Sequence, residues 1–272
     1  MASVALSHQS RVGKIEGEDA GTFSDGVAKL LERIDCRRAD TAEERKAIFR
    51  LRYQAYRREG AITANASETF SDPFDDIGLV YLFGLYLDNE LASSIRIHVG
   101  SKEHPHFPSL EVFSDVLQPH LDAGKVIIDP TRFVSDERLS RLHRGLPYAT
   151  LRLSMVAAEH FHADYVLAAV RAEHQAFYRR AFNQQVICEP RPYPQLIKPI
   201  SLMAVHYPSL VDQLWQRYSF IPSTVSERRR LFERPHGPIA DATLQPADTS
   251  GLARTQRALP PFVEDSTPSL AG

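Results

Sequence analysis

Residues 125–135, KVIIDPTRFVS, begin as a buried strand and then break its rule. Val126, Ile127 and Ile128 form an apolar run. Asp129 and Arg132 then set a carboxylate and a guanidinium three residues apart around Pro130, and Phe133 and Val134 resume the apolar pattern. Proline has no N–H for a sheet ladder, so a strand containing it bulges, bends or lies at an edge. Charges persist in such a strand only if opposite charges reach them.

The punctuation around this strand outlines a domain. VAKLLERIDCRRAD reads as a first strand, with a short helix as the alternative. Thr41 and Glu44 have capping-box spacing in front of a helix that ends near Gly60. Two apolar runs around Asp88-Asn89 predict a β-hairpin. After the 126–134 strand, the sequence predicts a helix from Pro147, a short strand DYVLAAV and an amphipathic helix EHQAFYRRAF. Two more strands, NQQVICE and ISLMAVHY, and two C-terminal helices follow. Antiparallel hairpins joined to a βαβ-like unit indicate an α+β fold: a mixed, mostly antiparallel sheet flanked by helices. The domain is expected to span 26–233, between a polar N-terminal stretch (1–25) and a tail (234–272) with six prolines, both expected to be disordered.

Composition excludes several classes. A net charge of −2 gives no basic field for nucleic acid. Two cysteines exclude a disulfide framework and a cysteine zinc site, and the histidines lack ligand spacing, so no metal is expected. The N-terminus lacks a signal-peptide core and no window could span a bilayer, which predicts a cytoplasmic protein with at most peripheral membrane contact.

The element order resembles the GNAT superfamily of N-acyltransferases, and Ala176, Tyr178 and Phe182 stand close to that family's pattern on its last core helix. Within it, Arg52 and Tyr56, Asp72 and Asp75 with Tyr81, Arg96, and Asp129-x-x-Arg132-Phe133 follow the order of the charged motif of acyl-homoserine lactone synthases. Asp129 stands where those enzymes carry glutamate, and Ile62 falls near the place of their tryptophan, which argues against an S-adenosylmethionine pocket. LPYATLRLSMVAAEHF, RAEHQAFYRRAF and RPYPQLIKP look closer to the related long-chain N-acyl amino acid synthases.

That resemblance implies amide formation from a thioester. A bulge near residues 133–136 would aim a backbone amide at the carbonyl, with Phe133 and Val134 beside the substrate, and the next strand would splay to admit a pantetheine arm. Asp129, Arg132, Tyr178 and His98 are the candidate catalytic residues: Tyr178 to protonate the leaving thiolate, His98 as base. Arg52, Tyr56, Asp72, Asp75, Arg96 and Phe113 are candidate substrate-binding residues. The charged members form either an ion-pair network or one that also shapes the acceptor pocket. The family's glycine-rich pyrophosphate turn is absent from SDERLSRLHRGLPYATLRL, which holds one glycine, Gly145, and Pro147. Acyl-phosphopantetheine of acyl carrier protein is therefore expected as donor rather than acyl-CoA, with no permanently bound cofactor. Arg138, Arg141, Arg144 and Arg152 would meet the acidic carrier, or else are a solvated face. Phe83, Leu85, Phe113, Val156 and Phe161 are candidates for an acyl tunnel. The expected activity is transfer of a long-chain acyl group to an amine acceptor, an amino acid. The alternatives are a lactone synthase, an ornithine N-acyltransferase and a non-catalytic acyl-binding module.

Overall fold

In the computed structural model, which describes residues 18–193 and 195–233, the chain runs α1 (Glu18–Arg33), β1 (Ile34–Arg38), α2 (Ala42–Arg58), β2 (Val80–Leu87), β3 (Glu90–Gly100), α3 (Pro108–Val112), α4 (Ser114–Asp122) and β4 (Ile127–Ser135). It continues through α5 (Glu137–Leu142), α6 (Leu146–His160), β5 (Tyr165–Val170), α7 (Gln175–Phe182), β6 (Gln185–Arg191), β7 (Ile200–His206), α8 (Tyr207–Arg217) and α9 (Val225–Phe232). The strands form one sheet ordered β1-β2-β3-β4-β5-β7-β6, antiparallel throughout except for β4 beside β5.

Local chemistry accounts for most boundaries. Thr41 and Glu44 cap α2 reciprocally, with Thr41 Oγ1 accepting from the Glu44 amide at 3.2 Å and Glu44 Oε2 from the Thr41 amide at 3.1 Å. Asp88 and Asn89 turn the β2–β3 hairpin with φ of 51° and 67°, the left-handed conformations that asparagine and aspartate tolerate and that two-residue hairpins need. Asn183, at φ 51°, ends α7 in the same way.

Helices cover both faces of the sheet. On one face α1, α6, α8 and α9 bury Val27, Met155, Leu210 and Phe232 against Phe83, Ile97 and Ile128. On the other, Ile48 of α2 meets Leu82, and Phe113, Leu117 and Leu121 pack on Ile127 and Leu167. Two readings of the sequence change. VAKLLER is helix, because Val27, Leu30 and Leu31 repeat at i, i+3 and i+4 and only a helix puts them on one face; the strand is reduced to residues 34–38. Since α1 starts at Glu18, it extends into the 1–25 stretch expected to be disordered. The rest of that stretch and the 234–272 tail lie outside the described residues. The second change is α3 and α4, which fill a segment left without elements. Phe113, Leu117 and Leu121, four apart, are the sequence signal that marks it.

Candidate active site

The bent strand is the centre of the site. Ser94 pairs with Val134 and Arg96 with Thr131, so two steps along β3 face three along β4. The extra residue is a β-bulge at Arg132–Phe133, and Arg132 sits at φ 55°, a left-handed conformation that costs a non-glycine residue energy. The bulge was expected slightly later, at 133–136, from the Asp129-Pro130 break. Pro130 instead stays in register opposite Ile97. Beyond Ile127↔Tyr165 and Ile128↔Val166, β4 and β5 no longer pair, and their C-terminal halves part.

A cavity of about 900 Å³ occupies that opening. Residues 130–135 of β4 and 168–170 of β5 form two walls. Tyr56 of α2, Leu151 of α6, Phe177 and Tyr178 of α7, and Tyr193 on the β6–β7 connection close the rest. The middle is apolar and aromatic, and charged side chains ring the edges, including Arg141, Arg144 and Arg180.

Behind the β4 wall lies a cluster of three arginines and two aspartates, every one buried. Asp72 and Asp75 come from a one-turn 3-10 helix (Pro73–Asp75) after α2, which they also cap: Asp72 Oδ1 accepts from the Phe74 amide and Asp75 Oδ2 from the Asp72 amide. Arg52 reaches across from α2 and donates through Nη1 to both oxygens of Asp75, at 2.8 and 3.0 Å. Arg96 on β3 donates through Nη1 to Asp72 at 2.6 Å and Asp75 at 3.0 Å, and through Nε to Thr131 at 3.0 Å. Arg132 grips Asp72 Oδ2 with Nε and Nη2 at 2.9 and 2.6 Å. Its guanidinium lies 4.8 Å from the Phe70 ring centroid, a cation–π contact. Burial alone would raise the Asp72 pKa, but the hydrogen bond from Arg96 and the charges of Arg132 and Arg96 outweigh it and hold the carboxyl at about 2.

The remaining predicted residues divide. Arg132, Phe133, Val134, Tyr56 and Tyr178 line the cavity, whereas Arg52, Asp72, Asp75 and Arg96 lie behind its wall. Burial raises the Tyr178 phenol pKa, so that side chain stays a proton donor at neutral pH. Asp129 does not join the cluster. Its oxygens accept from the Ser109 amide at 3.0 Å and the Ser109 hydroxyl at 2.8 Å, which fastens α3 to β4, and burial raises its pKa. His98 is fully buried away from the cavity, with Nε2 3.2 Å from the Ile77 carbonyl. Burial, then the charge of Arg96, lowers its pKa to about 3. Neither residue reaches the space where a substrate would sit.

Three further expectations are corrected. Phe113 belongs to the α3–α4 core, under the Arg191 guanidinium, rather than to a substrate pocket. Phe83, Leu85, Val156 and Phe161 likewise pack within the core instead of forming a tunnel. Arg152 is an internal clamp rather than part of a carrier-facing rim: it donates to Glu227 at 2.9 Å and to the Pro222 carbonyl at 2.8 Å. Of the other arginines assigned to the carrier, Arg141 and Arg144 edge the cavity, and Arg138 is exposed and paired with Glu90. Sequence reading missed Tyr148, Glu59, Arg171, His174, Tyr193 and Lys198, all at the cavity. For His174 the signal is its spacing of four from Tyr178; Tyr193 and Lys198 fall in the RPYPQLIKP stretch, but only the folded β6–β7 connection brings them over the cleft.

Comparison with known proteins decides the family. A family model described as N-acyl amino acid synthase FeeM matches residues 47–206, more than half of the chain. The chain belongs to the FeeM family of N-acyl amino acid synthases. It is an acyltransferase with the GNAT fold. Among solved structures, FeeM, an N-acyl amino acid synthase from uncultured soil microbes, is 19% identical with a TM-score of 0.57. That match covers 68% of this chain and 97% of FeeM. An acyl-CoA N-acyltransferase from Pseudomonas aeruginosa is 20% identical, TM-score 0.43, covering 63% of this chain and 97% of that one. BjaI, a CoA-dependent acyl-homoserine lactone synthase, is 17% identical, TM-score 0.48, covering 70% and 90%. No curated protein matches. Among the described residues no helix is long and apolar enough to cross a membrane.

Proposed function

We propose that this acyltransferase moves a long-chain fatty acyl group from acyl carrier protein to the α-amine of an amino acid. The thioester arm would lie in the cleft between β4 and β5. The bulged β4 backbone would face the carbonyl, whose oxygen gains negative charge as nitrogen attacks. Tyr178, on the opposite wall and protonated, would supply the proton that the departing thiolate needs.

Arg132 supports an amino acid acceptor. The buried cluster holds one more guanidinium than it has carboxylates, and Arg132 is the member that reaches the cavity. Its Nε and Nη2 are spent on Asp72, while Nη1 makes no hydrogen bond within the described residues and is available to a substrate carboxylate.

The donor reading rests on the segment after β4. A coenzyme A pyrophosphate is cradled by unbonded backbone amides at a helix N-terminus. Here Asp136 caps α5, taking the Leu139 amide at 2.9 Å on its side chain and the Ser140 amide at 3.0 Å on its carbonyl. The Leu146 amide bonds to His143 at 2.9 Å, and Pro147 has no amide to offer. With the Leu139 and Leu146 amides taken and none at Pro147, the segment offers fewer donors to a pyrophosphate, which favours a thioester carried on a single-phosphate arm. The exposed Arg141 and Arg144 would meet the acidic carrier.

The test is product analysis by mass spectrometry with purified protein, long-chain acyl carrier protein or the matching acyl-CoA, and a panel of amino acids. N-acyl amino acids formed faster from the carrier are expected. Faster reaction with acyl-CoA would overturn the donor assignment, and product only with S-adenosylmethionine would overturn the acceptor assignment.

A further inference from the structure

Amide formation needs a group that takes a proton from the attacking nitrogen, and with His98 and Asp129 sealed in the interior neither candidate from the sequence can do it. We infer that His174 is the general base of the transfer, paired with Tyr178 as acid on the same turn of chain; this assignment rests on the acyl-transfer reading above. His174 is the one histidine among the described residues that line the cavity. It immediately precedes α7, four residues before Tyr178, the spacing that stacks two side chains on one helical face, and both border the cavity. Base and acid therefore sit a single turn apart, facing the cleft between β4 and β5.

The surroundings keep the ring in the form a base requires. Burial, and after it the charge of Arg171, lower the His174 pKa, so the imidazole is neutral at neutral pH. Arg171 Nη2 donates to Glu59, at the end of α2, at 2.6 Å and makes a long second contact of 3.4 Å to His174 Nε2, which accepts it. This weak bond is the one an attacking amine would displace to reach the lone pair, and Glu173 lies 3.3 Å from Arg171 Nε. Lys198, from the β6–β7 connection, is 3.8 Å from Glu173. Glu59 also lines the cavity, and its ion pair with Arg171 occupies it. These four charged groups face His174 from α2, the end of β5 and the β6–β7 connection.

The step balances. The amine lone pair forms the C–N bond and His174 takes the N–H proton. The C–S bond breaks with its electron pair on sulfur, and Tyr178 O–H supplies the proton that makes the free thiol. His174 imidazolium then returns its proton to the Tyr178 phenolate, which restores both groups.

His174→Ala and the bulkier His174→Gln, assayed between pH 6.5 and 9.5 with acylated carrier and amino acid, test the assignment. At pH 7 kcat should fall on the order of 10²–10⁴-fold, with KM for the donor unchanged. The deficit should shrink as pH rises, because hydroxide can then take the N–H proton in place of the missing base, and added imidazole should partly restore the alanine variant. Wild-type kcat in either variant at pH 7 overturns the assignment. So does a deficit equal at every pH, with no imidazole rescue and a lowered Tm, which marks a packing role. Wild-type protein that forms no N-acyl product refutes the acyl-transfer reading itself, and the assignment with it.

Discussion

Replacing Asp72 by asparagine tests the physical basis of the site most directly. Asparagine keeps the shape, and its amide oxygen can still cap the 3-10 turn, but it removes the charge that Arg96 and Arg132 share. The cluster then holds three guanidiniums against Asp75 alone. Breaking a buried pair in this way costs about 3–5 kcal/mol, because the remaining charges lose compensation without regaining water. Linkage provides a second estimate. The Asp72 pKa falls from 3.8 to about 2 on folding, equivalent to about 2–3 kcal/mol of stability. A carboxyl whose folded pKa is depressed stabilises above its unfolded pKa and loses that contribution as pH falls through the folded value. The wild-type advantage should therefore be complete at pH 5 and above, and about 1 kcal/mol of it should be gone by pH 3. Urea unfolding of both proteins at pH 7, 5, 4 and 3 measures this. A loss below about 1 kcal/mol at pH 7, the value of an exposed pair, would refute the account. So would a wild-type advantage that stays constant between pH 5 and 3.

Arg152→Ala should lower stability by roughly 2–3 kcal/mol, as Glu227 and the Phe220 and Pro222 carbonyls lose a charged donor, yet leave KM for acylated carrier unchanged. A raised KM with intact stability would return this arginine to the carrier-facing rim. Tyr178→Phe should reduce kcat on the order of 10²-fold at unchanged KM for both substrates, measured by thiol release. Unchanged turnover would remove Tyr178 from the proton transfer.

The parts of the protein that were legible beforehand are those governed by neighbours in the chain. Capping at Thr41, the hairpin turn at Asp88-Asn89 and the stop at Gly60 depend on atoms a few residues apart, so the residue types announce them. Charge pairing behaved similarly. Arg52, Asp72, Asp75, Arg96 and Arg132 are too polar for their apolar surroundings unless they meet, and they do. Asp129 has the same chemistry and went elsewhere, because Ser109 of α3 lies closer to its strand face than the guanidiniums do to its oxygens. The error over Arg152 has the same origin. A basic residue on an amphipathic stretch reads as solvated until a C-terminal carboxylate, Glu227, and two carbonyls arrive from some 70 residues away.

The sequence by itself determined the α+β layout, the position of the bent strand and five of the six residues expected in the ion cluster, because periodicity, capping and the cost of unpaired buried charge act on any chain that folds at all. Only the tertiary structure decided where the cavity lies and who lines it. That depended on how far β4 and β5 run together before they part, and on which distant segments close over the gap. No local pattern encodes either, since the cleft is a space left by packing. His98 and His174 show the difference: both are histidines beside possible partners, and full burial within β3 or a place beside the cleft separates one from the other.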